Sequence, residues 1–391
     1  MAILDEYAGN PEQFPVLRRW NYLNHAGVAP WCRPVADAMR LCIDAFESNS
    51  YLGKVSYGEA LRLKQSLGRF IGADVRELAI LKNTAEAIST VALGLDWLPG
   101  DRVVTAAVEY PANVYPWMEA QRRFGIELEL IPERDRHDGT RAIDVDELLT
   151  AASHPRCRLV ALSHVQFGSG QRMPLERIGR WCRENRRLLC VDAIQALGAL
   201  PLDVRTAHID FLAAGSHKWM LGPGGASILY IRQELNDRIR PLAIGAYSVV
   251  DPDNYGDYRY EFQPDMRRHE CGTLPMPAIC GWRASVDLLA EVGMAAVTDR
   301  IRALTDRLAD GLSSRRWRIV SPRRADEWSG IVSFVPTDPS LELEPLARRL
   351  RDGRNLELAV REHRLRASPH FYNTFEQIDA LLEAVGDGST K

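Results

Sequence analysis

Lysine is nearly absent from this chain. Of 49 basic residues only five are lysines (Lys54, Lys64, Lys82, Lys218 and Lys391), so Lys218 stands alone between Lys82 and the last residue. Cysteine is sparse and unpatterned: seven residues, an odd number, run from Cys32 to Cys280 without a C-x-x-C pair. That argues against a disulfide framework and a zinc site and leaves small buried hydrophobes. No apolar run approaches the roughly 18 residues of a membrane span. The opening MAILDEYAGNPEQF carries acids where a secretory signal carries bases, so a cytoplasmic protein without a membrane partner is expected. Excess charge is also missing: a net charge of −3 gives no long-range attraction to nucleic acid. What remains is a chain of 391 residues, 46% hydrophobic, long enough for two domains with sizeable cores.

From residue 102 onward, strand and helix patterns alternate. RVVTAAVEY, IELELIPER, CRLVALSHV and RRLLCVDA read as strands, separated by the helical patterns WMEAQRRFG, VDELLTAAS behind Asp144, and PLERIGRWCREN behind Pro174. Strands apolar on both faces predict a mostly parallel sheet with helices on both sides, an α/β fold. DFLAAGS and GASILYIR supply two more strands, and the polar, aromatic stretch from about 246 to 270 reads as a loop. Helical patterns near 278–293 and 298–312 and the strand GIVSFVP predict a smaller C-terminal α+β domain. The expected division is an N-terminal segment 1–21 packing with the small domain, a large α/β domain 22–250, and a loop with the small domain over 251–391.

Where arginine serves nearly every cationic need, a retained lysine hints at chemistry a guanidinium cannot do: losing a proton and forming an imine. Lys218, in AAGSHKWMLGPGG, follows an apolar strand and sits where α/β proteins keep ligands. A solvated surface lysine is the plainer alternative. Asp192 ends the apolar strand LLCVDA, where burial of a carboxylate requires a cationic partner or a turn to cap. A protonated pyridine nitrogen would satisfy it, which points to pyridoxal 5′-phosphate, whose ring is an electron sink for charge at a substrate α-carbon. KNTAEAI offers a helix N-terminus for the phosphate, with the Thr84 hydroxyl either joining in or capping the helix, and Ser216 and His217 as further donors. The run GPGG at 222–225 fits neither nucleotide fingerprint.

Eight stretches in order carry a family resemblance: YLNHAGVAP (22–30), KNTAEAI (82–88), VEYPANVYPW (108–117), SHVQFGSGQRMPL (163–175), VDAIQALGALPLDV (191–204), GSHKWMLGPGG (215–225), HECGTLP (269–275) and LRASPHFYNTFEQID (365–379). Together they resemble the class V aminotransferases, in the cysteine desulfurase-like branch of the fold type I pyridoxal phosphate enzymes. The resemblance implies that Lys218 binds the cofactor covalently, Asp192 pairs with the ring nitrogen, and Gln195 lies near the phenolic oxygen. It implies that Thr84, Ser216 and His217 bind the phosphate, that Arg366 clamps the substrate carboxylate, and that Asn24 and His25 line the substrate pocket. It further implies a homodimer with shared sites, Thr273 reaching the partner subunit's phosphate.

Two departures bear on the reaction. Tyr110 stands where desulfurases of this branch carry a ring-stacking histidine; it stacks equally well but is a poorer proton shuttle. The cysteine that receives sulfur in desulfurases has no counterpart, since Val360 to Arg366 runs straight through without one. The expected reaction is therefore removal of an amino acid's α-proton followed by β-elimination, like a carbon–sulfur lyase. Transamination and epimerisation remain open, as does a non-catalytic module that merely binds the cofactor.

Overall fold

The computed structural model describes residues 2–52 and 58–386; Lys54 and Lys391 lie outside them. Its centre is a seven-stranded sheet of β1 (Leu78–Leu81), β2 (Arg102–Ala106), β3 (Glu127–Ile131), β4 (Cys157–Ser163), β5 (Leu188–Asp192), β6 (Phe211–Gly215) and β7 (Ser227–Ile231), in the spatial order β1-β7-β6-β5-β4-β2-β3. Every pairing from β3 to β6 is parallel, as the doubly apolar strands predict, while β7 runs antiparallel to both of its neighbours. Alternate residues feed two cores. Val160, Leu162, Val191, Leu212 and Ile228 join one apolar cluster, whereas Leu159, Ala161, Cys190, Phe211 and Leu229 join the other. That period of two is the signature of a sheet covered on both faces.

Helices supply the covers. α1 (Arg33–Asn49) and α2 (Gly58–Ile71) lie with α7 (Met276–Val292) on one side, all three feeding the first cluster. α3 (Thr84–Gly94) and α4 (Tyr115–Phe124) lie on the other, where Ala87, Ile88, Val91 and Trp117 are fully buried. α5 (Val145–Ala152) starts at Asp144, whose carboxylate accepts from the Asp146 and Glu147 amides, and α6 (Leu175–Glu184) follows Pro174. The strand pattern read over 126–134 breaks at Pro132: residues beyond it form a separate hairpin, Glu133–Asp135 with Arg141–Ile143.

The smaller C-terminal domain carries α8 (Met294–Ser313), β8 (Trp317–Ile319), β9 (Val332–Pro336), α9 (Leu343–Arg354), β10 (Ala359–Arg361), β11 (Arg364–Ala367) and α10 (Phe375–Val385). Its four strands form an antiparallel sheet in the order β8-β9-β11-β10 around Leu304, Leu308, Phe334, Leu365 and Leu381. Leu23 belongs to this third core, and near the N-terminus Phe14 stacks on Tyr372 at 3.7 Å.

Gly198 links the fold to the site it supports. Its φ of 97° lies where side chains are rarely tolerated, and a Cβ there would stand 2.1 Å from the Trp219 carbonyl oxygen. Left-handed strain and overpacking then add, so Gly198→Ala is expected to cost about 2–4 kcal/mol. Urea unfolding checks this; a change below about 0.5 kcal/mol would mean that this backbone contact is not tight.

Candidate active site

In an open parallel sheet the strands point their carboxyl ends at one edge, and ligands bind there. The ends of β1, β2, β4, β5 and β6 deliver, in turn, Thr84, Tyr110, Ser163, Asp192 and the Ser216–Lys218 turn to that edge. Ser163, Asp192 and Ala213 sit side by side in register.

Lys218 is partly buried, and its Nζ stands 5.4 Å from the centroid of the Tyr110 ring. Among the described residues its amine has neither a hydrogen bond nor an ion pair, and its partial burial sets it apart from a solvated surface lysine. Burial lowers its pKa, Asp192 pulls it back up, and the nearby charges of Arg366 and Arg361 lower it further. Tyr110 is 48% exposed and packs edge-on against Phe167, so its ring forms a wall beside the amine. Asp192 is 2% exposed; its Oδ1 accepts from the Ile194 amide at 3.0 Å, and no described cation lies within ion-pair distance. Capping occupies one oxygen and leaves the charge without a described cationic partner. Burial raises its pKa, and the Glu109 charge adds to the effect.

Glu109 is a residue the sequence reading passed over. Its buried carboxylate accepts from the Ser163 amide at 2.7 Å, Gln166 Nε2 at 2.7 Å, Asn113 Nδ2 at 3.1 Å and the Ser163 hydroxyl. It ties the end of β2 to the end of β4 and so fixes the turn that carries Tyr110. The i, i+4 spacing of Glu109 and Asn113 was the available signal; the donors around Ser163 are remote in sequence.

The helix at Thr84 resolves an ambiguity. Asn83 is the cap, its Oδ1 accepting from the Glu86 amide at 2.9 Å, so the Thr84 hydroxyl is buried and has no partner among the described residues. The first-turn amides of α3 add donors that no intrahelical acceptor meets. Ser216 is differently placed from the expectation: its hydroxyl hydrogen goes to the Pro223 and Ala226 carbonyls, stapling the GPGG loop. Gln195 bridges Ala26 O at 3.0 Å and Trp219 Nε1 at 2.9 Å, and keeps one amide hydrogen spare. His217 is half-buried beside Lys218, and both burial and that charge lower its pKa.

His25 does not line a substrate pocket. It is fully buried, Nδ1 lies 2.8 Å from the Ser368 carbonyl and Nε2 lies 2.7 Å from the Tyr372 hydroxyl, so both ring nitrogens are spent on the core. Asn24 is half-buried, donates to Glu357 at 3.1 Å, and leaves its buried Oδ1 unmatched. Thr273 is exposed.

Arg366 arrives from the small domain. It is 1% exposed, Nη1 donates to the Phe167 carbonyl at 2.9 Å, and Nε is buried without a partner. No described carboxylate lies within ion-pair distance, and burial together with Arg361 pushes its pKa down to about 10. A buried guanidinium without an anionic partner is a costly arrangement. Between β10 and β11 the turn is only Glu362 and His363, at φ 50° and 60°, the two-residue hairpin geometry. The described cysteines lie elsewhere: six are buried and Cys271 is half-buried.

A model of the family described as aminotransferase class-V matches residues 21–381. The chain belongs to the class-V aminotransferase family. Relatives include a probable cysteine desulfurase of Pyrococcus abyssi, 28% identical over 95% of this chain and 94% of that one. The isopenicillin N epimerase of Streptomyces clavuligerus is 31% identical over 82% of each chain. Among solved structures, the cystine C–S lyase C-DES bound to its product cysteine persulfide superposes with a TM-score of 0.88, at 25% identity over 96% of this chain and 100% of that one. This class-V member is thus a pyridoxal 5′-phosphate enzyme of the cysteine desulfurase type, acting on an amino acid. The residues present fit that cofactor: an orphaned hydroxyl at a helix N-terminus for its phosphate, a buried carboxylate lacking a cation for its ring nitrogen, and an isolated amine for its aldehyde.

Proposed function

We propose that this enzyme is a carbon–sulfur lyase: it removes the α-proton of a sulfur-substituted amino acid and expels the sulfur group from Cβ, without passing sulfur to an enzyme thiol. The two-residue turn at Glu362 and His363 carries the reading, because it leaves no loop in which an acceptor cysteine could reach the Lys218 amine. The buried thiols are poor substitutes. Burial raises Cys32 and Cys157 to about 11 and Cys280 to about 12, so none is a thiolate at neutral pH.

The roles follow from position. Lys218 would hold the cofactor through Nζ, and its amine is the group placed to take the α-proton of the substrate. When bound, the cofactor supplies an electron sink for the charge left on Cα. Asp192 would keep its ring nitrogen protonated, with the Tyr110 ring as a neighbouring wall and the spare Gln195 hydrogen as a donor to its phenolic oxygen. Thr84, the α3 amides and His217 would hold the phosphate, with Ser216 shaping the GPGG loop. Arg366 takes the substrate carboxylate and Asn24 borders it. We assign Thr273, exposed in the single chain, to the phosphate of a second copy.

Holoenzyme given S-substituted cysteines is expected to release pyruvate and ammonia with one equivalent of thiol. Consumption of an added oxo acid with no net ammonia would instead make it an aminotransferase. Appearance of the D-isomer with solvent hydrogen at Cα would make it an epimerase, as its Streptomyces clavuligerus relative is named.

A further inference from the structure

Arg366 is not the only uncompensated cation on its face of the small sheet. Arg361 pairs across the hairpin with Arg364, and Arg366 pairs with Ala359, so Arg361, Arg364 and Arg366 project from the same side. Arg361 and Arg366 are diagonal neighbours, with side chains rooted roughly 7–8 Å apart. The three differ in what balances them. Arg364 is buried and pairs with Glu133 at 2.9 Å, whereas neither Arg361 nor Arg366 has a described carboxylate within ion-pair distance. Arg361 is exposed and donates only to the Val360 carbonyl, at 2.7 Å. The nearest acid by sequence, Glu362, is engaged elsewhere: it stands 3.7 Å from Arg364, and its carboxylate presses on Gly168, where any side chain would collide with it. The tight turn therefore carries an exposed guanidinium, without a described carboxylate in ion-pair distance, on the same side of the hairpin as Arg366. Its charge is felt at both Arg366 and Lys218.

One carboxylate satisfies Arg366. A second cation at this spacing, without an ion pair among the described residues, matches a second anionic group on the same molecule. We propose that Arg361 is a substrate-recognition residue, and that the amino acid this enzyme prefers carries a second carboxylate, or a comparable anionic group, beyond Cβ. The inference rests on the proposed binding of an amino acid between Lys218 and Arg366, and it deepens that reading by naming a substrate class.

The test separates binding from turnover. Calorimetry of the holoenzyme with succinate against succinamate, and glutarate against glutaramate, compares molecules of the same shape that differ by one charge. At least one dicarboxylate is expected to bind about 10- to 100-fold more tightly than its half-amide. Arg361→Gln should erase that difference, while Arg366→Gln weakens all four ligands. In turnover, Arg361→Gln should raise KM for S-(2-carboxyethyl)-cysteine more than for S-(2-carbamoylethyl)-cysteine, so that the preference for the acid in kcat/KM falls towards one. Equal affinity for acid and half-amide in the unmodified enzyme, a preference that survives Arg361→Gln, or no binding of any of the four would overturn the proposal. If the acids bind as expected but neither cysteine derivative yields pyruvate, the lyase reading fails and the anion site stands.

Discussion

Lys218→Ala is expected to lower kcat/KM by about 10³-fold or more, the largest effect of any single substitution. In the proposed mechanism the ε-amine has two tasks, covalent attachment of the cofactor and transfer of the α-proton, and loss of a positioned proton-transfer group alone costs about 10²–10⁴-fold. Lys218→Arg is the sharper control. It preserves the positive charge, the reach and the approach to the Tyr110 ring, yet a guanidinium neither loses its proton at neutral pH nor forms the imine. Both variants should be equally inactive and should lack the absorbance band that a covalently bound cofactor gives. Arginine activity within tenfold of the unmodified enzyme would show that Lys218 serves only as a cation.

Asp192→Asn should follow closely, with a loss of about 10²–10³-fold in kcat/KM. The amide keeps the shape and the contact with the Ile194 amide but lacks the negative charge that the proposed mechanism uses to keep the ring nitrogen protonated. Removing one member of a buried ion pair costs about 3–5 kcal/mol. Stability should move the other way. In the cofactor-free protein the Asp192 carboxyl has its pKa raised above the unfolded value by burial and by Glu109, so at neutral pH its charge opposes folding. That cost is absent below the unfolded carboxyl pKa and grows as pH rises through the raised value. The cofactor-free Asn variant should therefore unfold no earlier than the unmodified protein at pH 7.5, and the two should converge on acidification. A variant both inactive and markedly less stable would point to a purely structural Asp192.

The sequence made the sheet legible because its strands are short apolar runs between amphipathic helices, a pattern set by burial on both faces. It also made Lys218 conspicuous, through the scarcity of lysine, and Asp192, through its place at an apolar strand end. What it hid was pairing at a distance. That Asn83 rather than Thr84 caps the helix, and so frees a hydroxyl, depends on which of two adjacent oxygens turns towards the Glu86 amide. Ser216 looked like a ligand donor until Pro223 and Ala226, ten residues on at most, were seen to take its hydrogen. His25 reads as a pocket residue in sequence, but Ser368 and Tyr372, more than 340 residues away along the chain, claim it for the core. The antiparallel β7 was invisible for the same reason, since an apolar strand between two others reads alike in either direction.

The whole account turns on one covalent bond. Holoenzyme reduced with borohydride, digested and mapped by mass spectrometry should carry the pyridoxyl label on Lys218 and nowhere else, with the label lost in Lys218→Ala. A label on Lys64 or Lys82, or no label on a protein that is catalytically active, would contradict it.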